Sequence, residues 1–140
     1  MDEKLRKSII LEHYNNPLNK GLLNDTSYEK INMNSPTCID NLDFEIKIEN
    51  DIVTDIKYDG EACAISTSSS SIMTDLIIGK SVEEAKEIID NFYAMINEEK
   101  YDEEILGEAN CYCEIYKQPN RKKCALLPYE GLKKVIDKNK

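Results

Sequence analysis

Five cysteines and a single histidine are the residues of this 140-residue chain best suited to metal or sulfur chemistry. Cys38 and Asp40 stand two apart in SPTCIDN, where Pro36 and Asn41 mark irregular or extended backbone. In extended chain, side chains i and i+2 point to one side and lie roughly 6.5 Å apart, so modest bending lets them share one ion. A pair of this kind taken alone also fits an incidental loop thiol. Cys63, in DGEACAIS, follows a strand pattern and precedes a helix pattern. A thiol at a helix N-terminus feels the positive end of the macrodipole, which favours its thiolate for metal binding or nucleophilic attack. The alternative is a small core residue beside Ala62 and Ala64. Cys124 follows Arg121-Lys122-Lys123, the one run of three basic residues in the chain. Were Cys38, Asp40, Cys63 and Cys124 to hold one Zn²⁺, the site would keep a net negative charge that those cations offset. Otherwise the run is a solvated helix face. Cys111-Tyr112-Cys113 would direct both thiols to one side of a strand, but it lacks a second close pair to complete a tetrahedral cage. His13 has no second histidine and reads as a surface or helix-packing residue.

The elements that must position these groups follow from hydrophobic period. Residues 3–14 place Leu5, Ile9 and Ile10 on one side of a short helix that ends before Pro17, since the residue preceding a proline is pushed out of the helical region. Phe44, Ile46 and Ile48, then Ile52, Thr54, Ile56 and Tyr58, recur at period two and predict a hairpin turning at Asn50-Asp51. Residues 28–33 carry a weaker strand pattern. Beyond Gly60 the period becomes helical, predicting a helix over 66–78 that stops at Gly79, with the hydroxyl run Ser66–Ser71 at its start. Ser81 and Glu84 form a capping box for a further helix with the stripe Val82, Ala85, Ile88, Ile89, Phe92, Met95 and Ile96. The acidic stretch 97–110 predicts a short helix at Asp102–Leu106. Residues 119–137 are helical in pattern, with Pro128 expected to kink the helix or begin a new segment. Helix, strands, then helices argue for an α+β fold, one domain over 1–140, with an antiparallel three-stranded sheet covered by helices on one face.

Composition narrows the function classes. Lys and Arg number 18 and Asp and Glu 27, so the formal charge is 18 − 27 = −9. That balance gives no broad basic footprint for nucleic acid or anionic lipid. Apolar residues make up 41% of the chain, enough for a core. No apolar run is long enough for a membrane helix, and the charged opening MDEKLRKSIILEHY does not read as a signal peptide, so the expectation is an intracellular, cytoplasmic protein. An odd number of cysteines in a reducing compartment points to metal or sulfur chemistry rather than to a disulfide framework.

Four ordered segments, EHYNNPLNKG (12–21), SPTCID (35–40), DGEACAISTSSSSIMTDLIIGK (59–80) and PNRKKCALLPYEGL (119–132), resemble the U-type iron–sulfur assembly proteins, the IscU/SufU family, over nearly the whole chain. The separation 124 − 63 = 61 resembles the SufU branch, which carries an insertion there, and Lys123 stands where IscU-type proteins have a ligand histidine. The resemblance implies a sheet-and-helix sandwich and a zinc site of Cys38, Asp40, Cys63 and Cys124. It further implies that a PLP-dependent cysteine desulfurase of the SufS type hands persulfide sulfur to Cys38 for downstream iron–sulfur assembly proteins, with Arg121 and Lys123 as electrostatic supports. The alternative role is a scaffold for a transient [2Fe–2S] cluster on the same ligands. The chain departs from the family pattern at Ile39 and Ala62, both glycine positions in the family, and at Pro128.

Overall fold

The computed structural model describes residues 1–35 and 39–139. Helix α1 spans Glu3–Asn15, with the Asp2 carboxylate capping it by accepting from the Leu5 N–H at 2.8 Å. It ends before Asn16-Pro17, as the proline requires. Strands β1 (Glu29–Asn34), β2 (Asn41–Glu49) and β3 (Ile52–Glu61) follow and pair antiparallel in the order β1-β2-β3. The β2–β3 hairpin turns at Asn50-Asp51, whose φ values of 51° and 61° suit a two-residue turn matched to the strand twist. On the inner face Met33, Leu42, Phe44, Ile46, Val53, Ile56 and Tyr58 are buried. Glu45 is buried on the other face, where its carboxylate accepts from the Leu23 and Asn24 N–H groups at 2.7 and 2.9 Å and so ties down the chain between α1 and β1.

Helices α2 (Ala64–Ile77), α3 (Val82–Ile96) and α4 (Pro119–Lys138) complete the predicted α+β arrangement, with two 3₁₀ segments, Glu104–Tyr112 and Ile115–Lys117, between α3 and α4. The Ser81–Glu84 capping box forms as expected. Helix α2 lies between α1, α4 and the first 3₁₀ segment, and all of Ser66–Ser71 is buried. Small side chains let the neighbours approach, and their hydroxyls bond across the gaps: Ser68 with the Tyr112 hydroxyl at 2.5 Å, Ser69 to the Ala125 carbonyl at 2.6 Å and Ser71 with His13 Nδ1 at 2.7 Å. The stacked rings of Phe92 and Tyr129, 3.8 Å between centroids, join α3 to α4.

Some expectations need correction. The α2 helix begins at Ala64, two residues before the hydroxyl run, and its cap is Cys63. The expected helix at Asp102–Leu106 begins two residues later, at Glu104, as a 3₁₀ turn; after a break at Gly107, whose φ of 49° and ψ of −127° are not helical, a second 3₁₀ stretch runs on to Tyr112, with Ala109 and Tyr112 buried three residues apart. Cys111-Tyr112-Cys113 is therefore not strand, and its thiols do not share a strand face. Pro128 does not start a new segment: α4 runs through it and spans 20 residues.

Candidate metal centre

Three of the sequence-predicted donors converge from three different elements. Asp40 immediately precedes β2, Cys63 caps α2, and Cys124 lies in the second turn of α4. One ligand atom from each lies within 4.8 Å of the others. Cys38 lies outside the described residues. The loop that carries it is closed by the Ser35 N–H donating to the Asp40 carbonyl at 3.0 Å, which continues the β1–β2 pairing beyond Asn34 and Asn41.

Each donor is held by local backbone logic. The strand β3 enters α2 through Gly60, whose φ of 138° lies in the region that favours glycine; a Cβ there would stand 2.2 Å from the Asn41 carbonyl oxygen. That close approach brings the end of β3, and with it Cys63, against the start of β2. At the N-terminus of α2 the Cys63 N–H donates to Asp40 Oδ1 at 2.8 Å, while Cys63 Sγ accepts from the Ser66 N–H at 3.4 Å. A carboxylate and a sulfur thus share the positive end of one helix. Ser66 Oγ donates to Asp40 Oδ2 at 2.5 Å. Asp40 and Cys124 are each only 1% exposed, whereas Cys63 is half-buried and open to an incoming group.

The electrostatics fit a cation. Burial pushes the Asp40 carboxyl up, but hydrogen bonds from Ser66, the Cys63 N–H, Cys124 and Cys63 outweigh it and leave the group below the usual carboxylate range. The Cys124 thiol moves the other way, raised by burial first and then by its hydrogen bonds to Asp40 and Cys63 and their charge. Three acidic donors this close cannot all ionise without a cation among them. Tetrahedral zinc holds sulfur at about 2.3 Å and oxygen at about 2.0 Å, so its ligand atoms stand roughly 3.5–3.8 Å apart. Cys63 Sγ and Asp40 Oδ2 already stand 3.9 Å apart, and the group as a whole needs at most about an ångström of closure to reach that spacing. The donor set of two thiols and a carboxylate suits zinc or iron.

The remaining sequence candidates fall elsewhere. Arg121 and Lys123 are exposed in the first turns of α4, flanking Cys124 along the chain, and among the described residues neither makes an ion pair. Cys111 is buried and Cys113 half-buried in the 3₁₀ region, outside the donor group. His13 is a helix-packing residue: buried on α1, it meets Ser71 at 2.7 Å and Glu108 at 3.1 Å. Ile39 is 66% exposed beside the site. Ser66 was missed as a site residue. The hydroxyl run signalled capping, but which acceptor each serine meets depends on how β2 and α4 pack.

Residues 5–125 match the NifU-like N-terminal domain. The chain belongs to that family. It is 40% identical over 97% of its length to the zinc-dependent sulfurtransferase SufU of Bacillus subtilis, covering 92% of that protein. It is 37% identical over 96% of its length to the iron–sulfur cluster assembly scaffold protein IscU of Streptococcus pyogenes, covering 84% of it. Among solved structures, it matches a candidate iron–sulfur cluster assembly scaffold protein for the SUF system from Fervidobacterium islandicum with a TM-score of 0.81 and 30% identity, over 89% of this chain and 91% of that one.

Proposed function

We propose that this protein is a zinc-dependent sulfurtransferase of iron–sulfur cluster assembly, acting as one cytoplasmic domain that takes persulfide sulfur from a SufS-type cysteine desulfurase onto Cys38. The observation that carries the reading is the approach of Asp40, Cys63 and Cys124 to within 4.8 Å from three separate elements. The likeness to a relative named as a zinc-dependent sulfurtransferase supports it.

Asp40, Cys63 and Cys124, with Cys38 from the adjoining loop, would hold the zinc. Zinc bound there supplies charge that keeps thiols deprotonated at neutral pH, without redox chemistry of its own. The residues do the rest. The Cys38 thiolate attacks the outer sulfur of a persulfide on the desulfurase; a new S–S bond forms at Cys38 as the donor's S–S bond breaks, and the donor cysteine leaves as thiolate. No external oxidant or reductant is consumed. Arg121 and Lys123, beside Cys124 and exposed, lower the cost of gathering this much negative charge and favour thiolate over thiol. The sulfur then passes to downstream assembly proteins.

The test is desulfurase turnover with and without the purified protein, alongside its metal content. Strong stimulation with about one zinc per chain is expected, and Cys38→Ala should fold yet give no stimulation. Undiminished stimulation by that variant sinks the assignment of Cys38. The scaffold reading, a transient [2Fe–2S] cluster on the same ligands, is favoured by the relative named as a scaffold. Against it stands Lys123 in place of a ligand histidine, since an ammonium group has no lone pair to offer. Anaerobic reconstitution that yields no visible-region cluster absorption removes it.

A further inference from the structure

Pro128 has no N–H to donate to the carbonyl four residues earlier in α4, that of Cys124. Ser66 Oγ lies 3.1 Å from that carbonyl oxygen and 2.5 Å from Asp40 Oδ2. Its own N–H meets Cys63 Sγ at 3.4 Å, and its Oγ lies 3.7 Å from the same sulfur. One wholly buried hydroxyl therefore touches all three residues of the donor group. A hydroxyl carries a single proton, and of two acceptors a carboxylate takes it more strongly than an amide carbonyl. The proton belongs mainly to Asp40. With the Cys63 N–H on Oδ1, the carboxylate is gripped through both oxygens and keeps lone pairs on each for a metal.

From this geometry we infer that Ser66 is the positioning residue of the metal centre: its hydroxyl orients Asp40 for the cation while also contacting the Cys124 carbonyl. Asp40 thus meets an incoming ion already aimed, at no further cost in side-chain freedom. The inference rests on the metal-site reading above, though not on sulfur transfer.

Zinc affinity of the full-length protein, measured by competition with a chromophoric chelator, tests it in a double-mutant cycle of Ser66→Ala and Asp40→Ala. Loss of a hydrogen-bonding partner behind a metal ligand weakens binding by about 10–100-fold. Ser66→Ala is expected to show that loss in the wild-type background and less than about three-fold in the Asp40→Ala background, because its effect runs through the carboxylate. A loss of equal size in both backgrounds, or no loss in the first, overturns the assignment. Should Ser66→Ala not fold, Ser66→Thr decides, since it keeps the hydroxyl: affinity within about three-fold of wild type supports the role, and a ten-fold loss overturns it. A protein that shows the expected zinc dependence on Ser66 yet leaves the desulfurase unstimulated overturns the sulfurtransferase reading alone.

Discussion

Cys63 and Cys124 differ from Cys111 less in chemistry than in company. All three are thiols in a helical setting, but Cys111 is surrounded by core, where burial raises its pKa and keeps it inert. Cys63 and Cys124 share a site with a carboxylate and a helix N-terminus. Cys63→Ser or Cys124→Ser should therefore purify with little zinc, whereas Cys111→Ser should keep the wild-type metal content by mass spectrometry. Zinc retained by the first two variants would contradict the ligand set. Titration at a second residue is visible away from the site. Tyr28 donates to the Asp55 carboxylate at 2.5 Å, and that hydrogen bond, with some burial, pushes its pKa up to about 12. Between pH 10 and 12 the folded state holds a proton that the unfolded state has lost, so this contribution is complete below about pH 10 and disappears as pH rises through 12. Tyr28→Phe should flatten the fall in urea midpoint between pH 9 and 11, relative to wild type.

Elements meet at this centre only because a few positions allow it. Gly60 is the tightest of them: a side chain there runs into the Asn41 backbone and is strained by its positive φ as well. Gly60→Ala should cost about 2–3 kcal/mol in urea unfolding, and a loss under about 0.5 kcal/mol would mean that the β2–β3 pairing relaxes freely. Glu45 plays the corresponding part on the outer face of the sheet. Its buried carboxylate satisfies two backbone N–H groups and lies 3.6 Å from the Lys30 ammonium. Glu45→Ala should lower stability by about 1–3 kcal/mol, because those donors lose their acceptor. Pro128 behaves in the opposite sense. Alanine there restores an N–H for the Cys124 carbonyl, so Pro128→Ala should fold with no loss of thermal stability.

At the scale of the whole molecule the donors tie together the start of β2, the start of α2 and the second turn of α4. The unfolded chain has no such cluster. A cation bound there thus stabilises the native state by mass action, about 2.7 kcal/mol when free metal is a hundred times its dissociation constant. Treatment with a strong chelator should lower the melting temperature of the full-length protein, and added zinc should restore it. An unchanged melting temperature would place the metal outside the folded framework. The net charge of −9 leaves the exposed cations at the start of α4 as a local exception, set beside the centre where acidic donors gather.

Period and punctuation in the sequence determined the elements: the alternation around Phe44 and Ile56, the Asn50-Asp51 turn and the Ser81–Glu84 cap all form as local chemistry dictates, because each depends on residues a few positions apart. The residue types also marked Asp40, Cys63 and Cys124 as donors, and the ordered motifs marked the family. Tertiary structure alone decided what is not local. That α4 continues through Pro128, and that the Ser66 hydroxyl meets the carbonyl of Cys124 one turn before it, 58 residues along the chain, is seen only in the folded molecule. The 3₁₀ winding around Cys111 is seen where that segment packs against α1, α2 and α3, contacts that its own sequence does not announce. The role of Ser66 lay hidden for the same reason. A run of hydroxyls announces a helix start, but only the approach of β2 and α4 chooses which hydroxyl meets the carboxylate, since a hydrogen bond acts over ångströms and not over sequence.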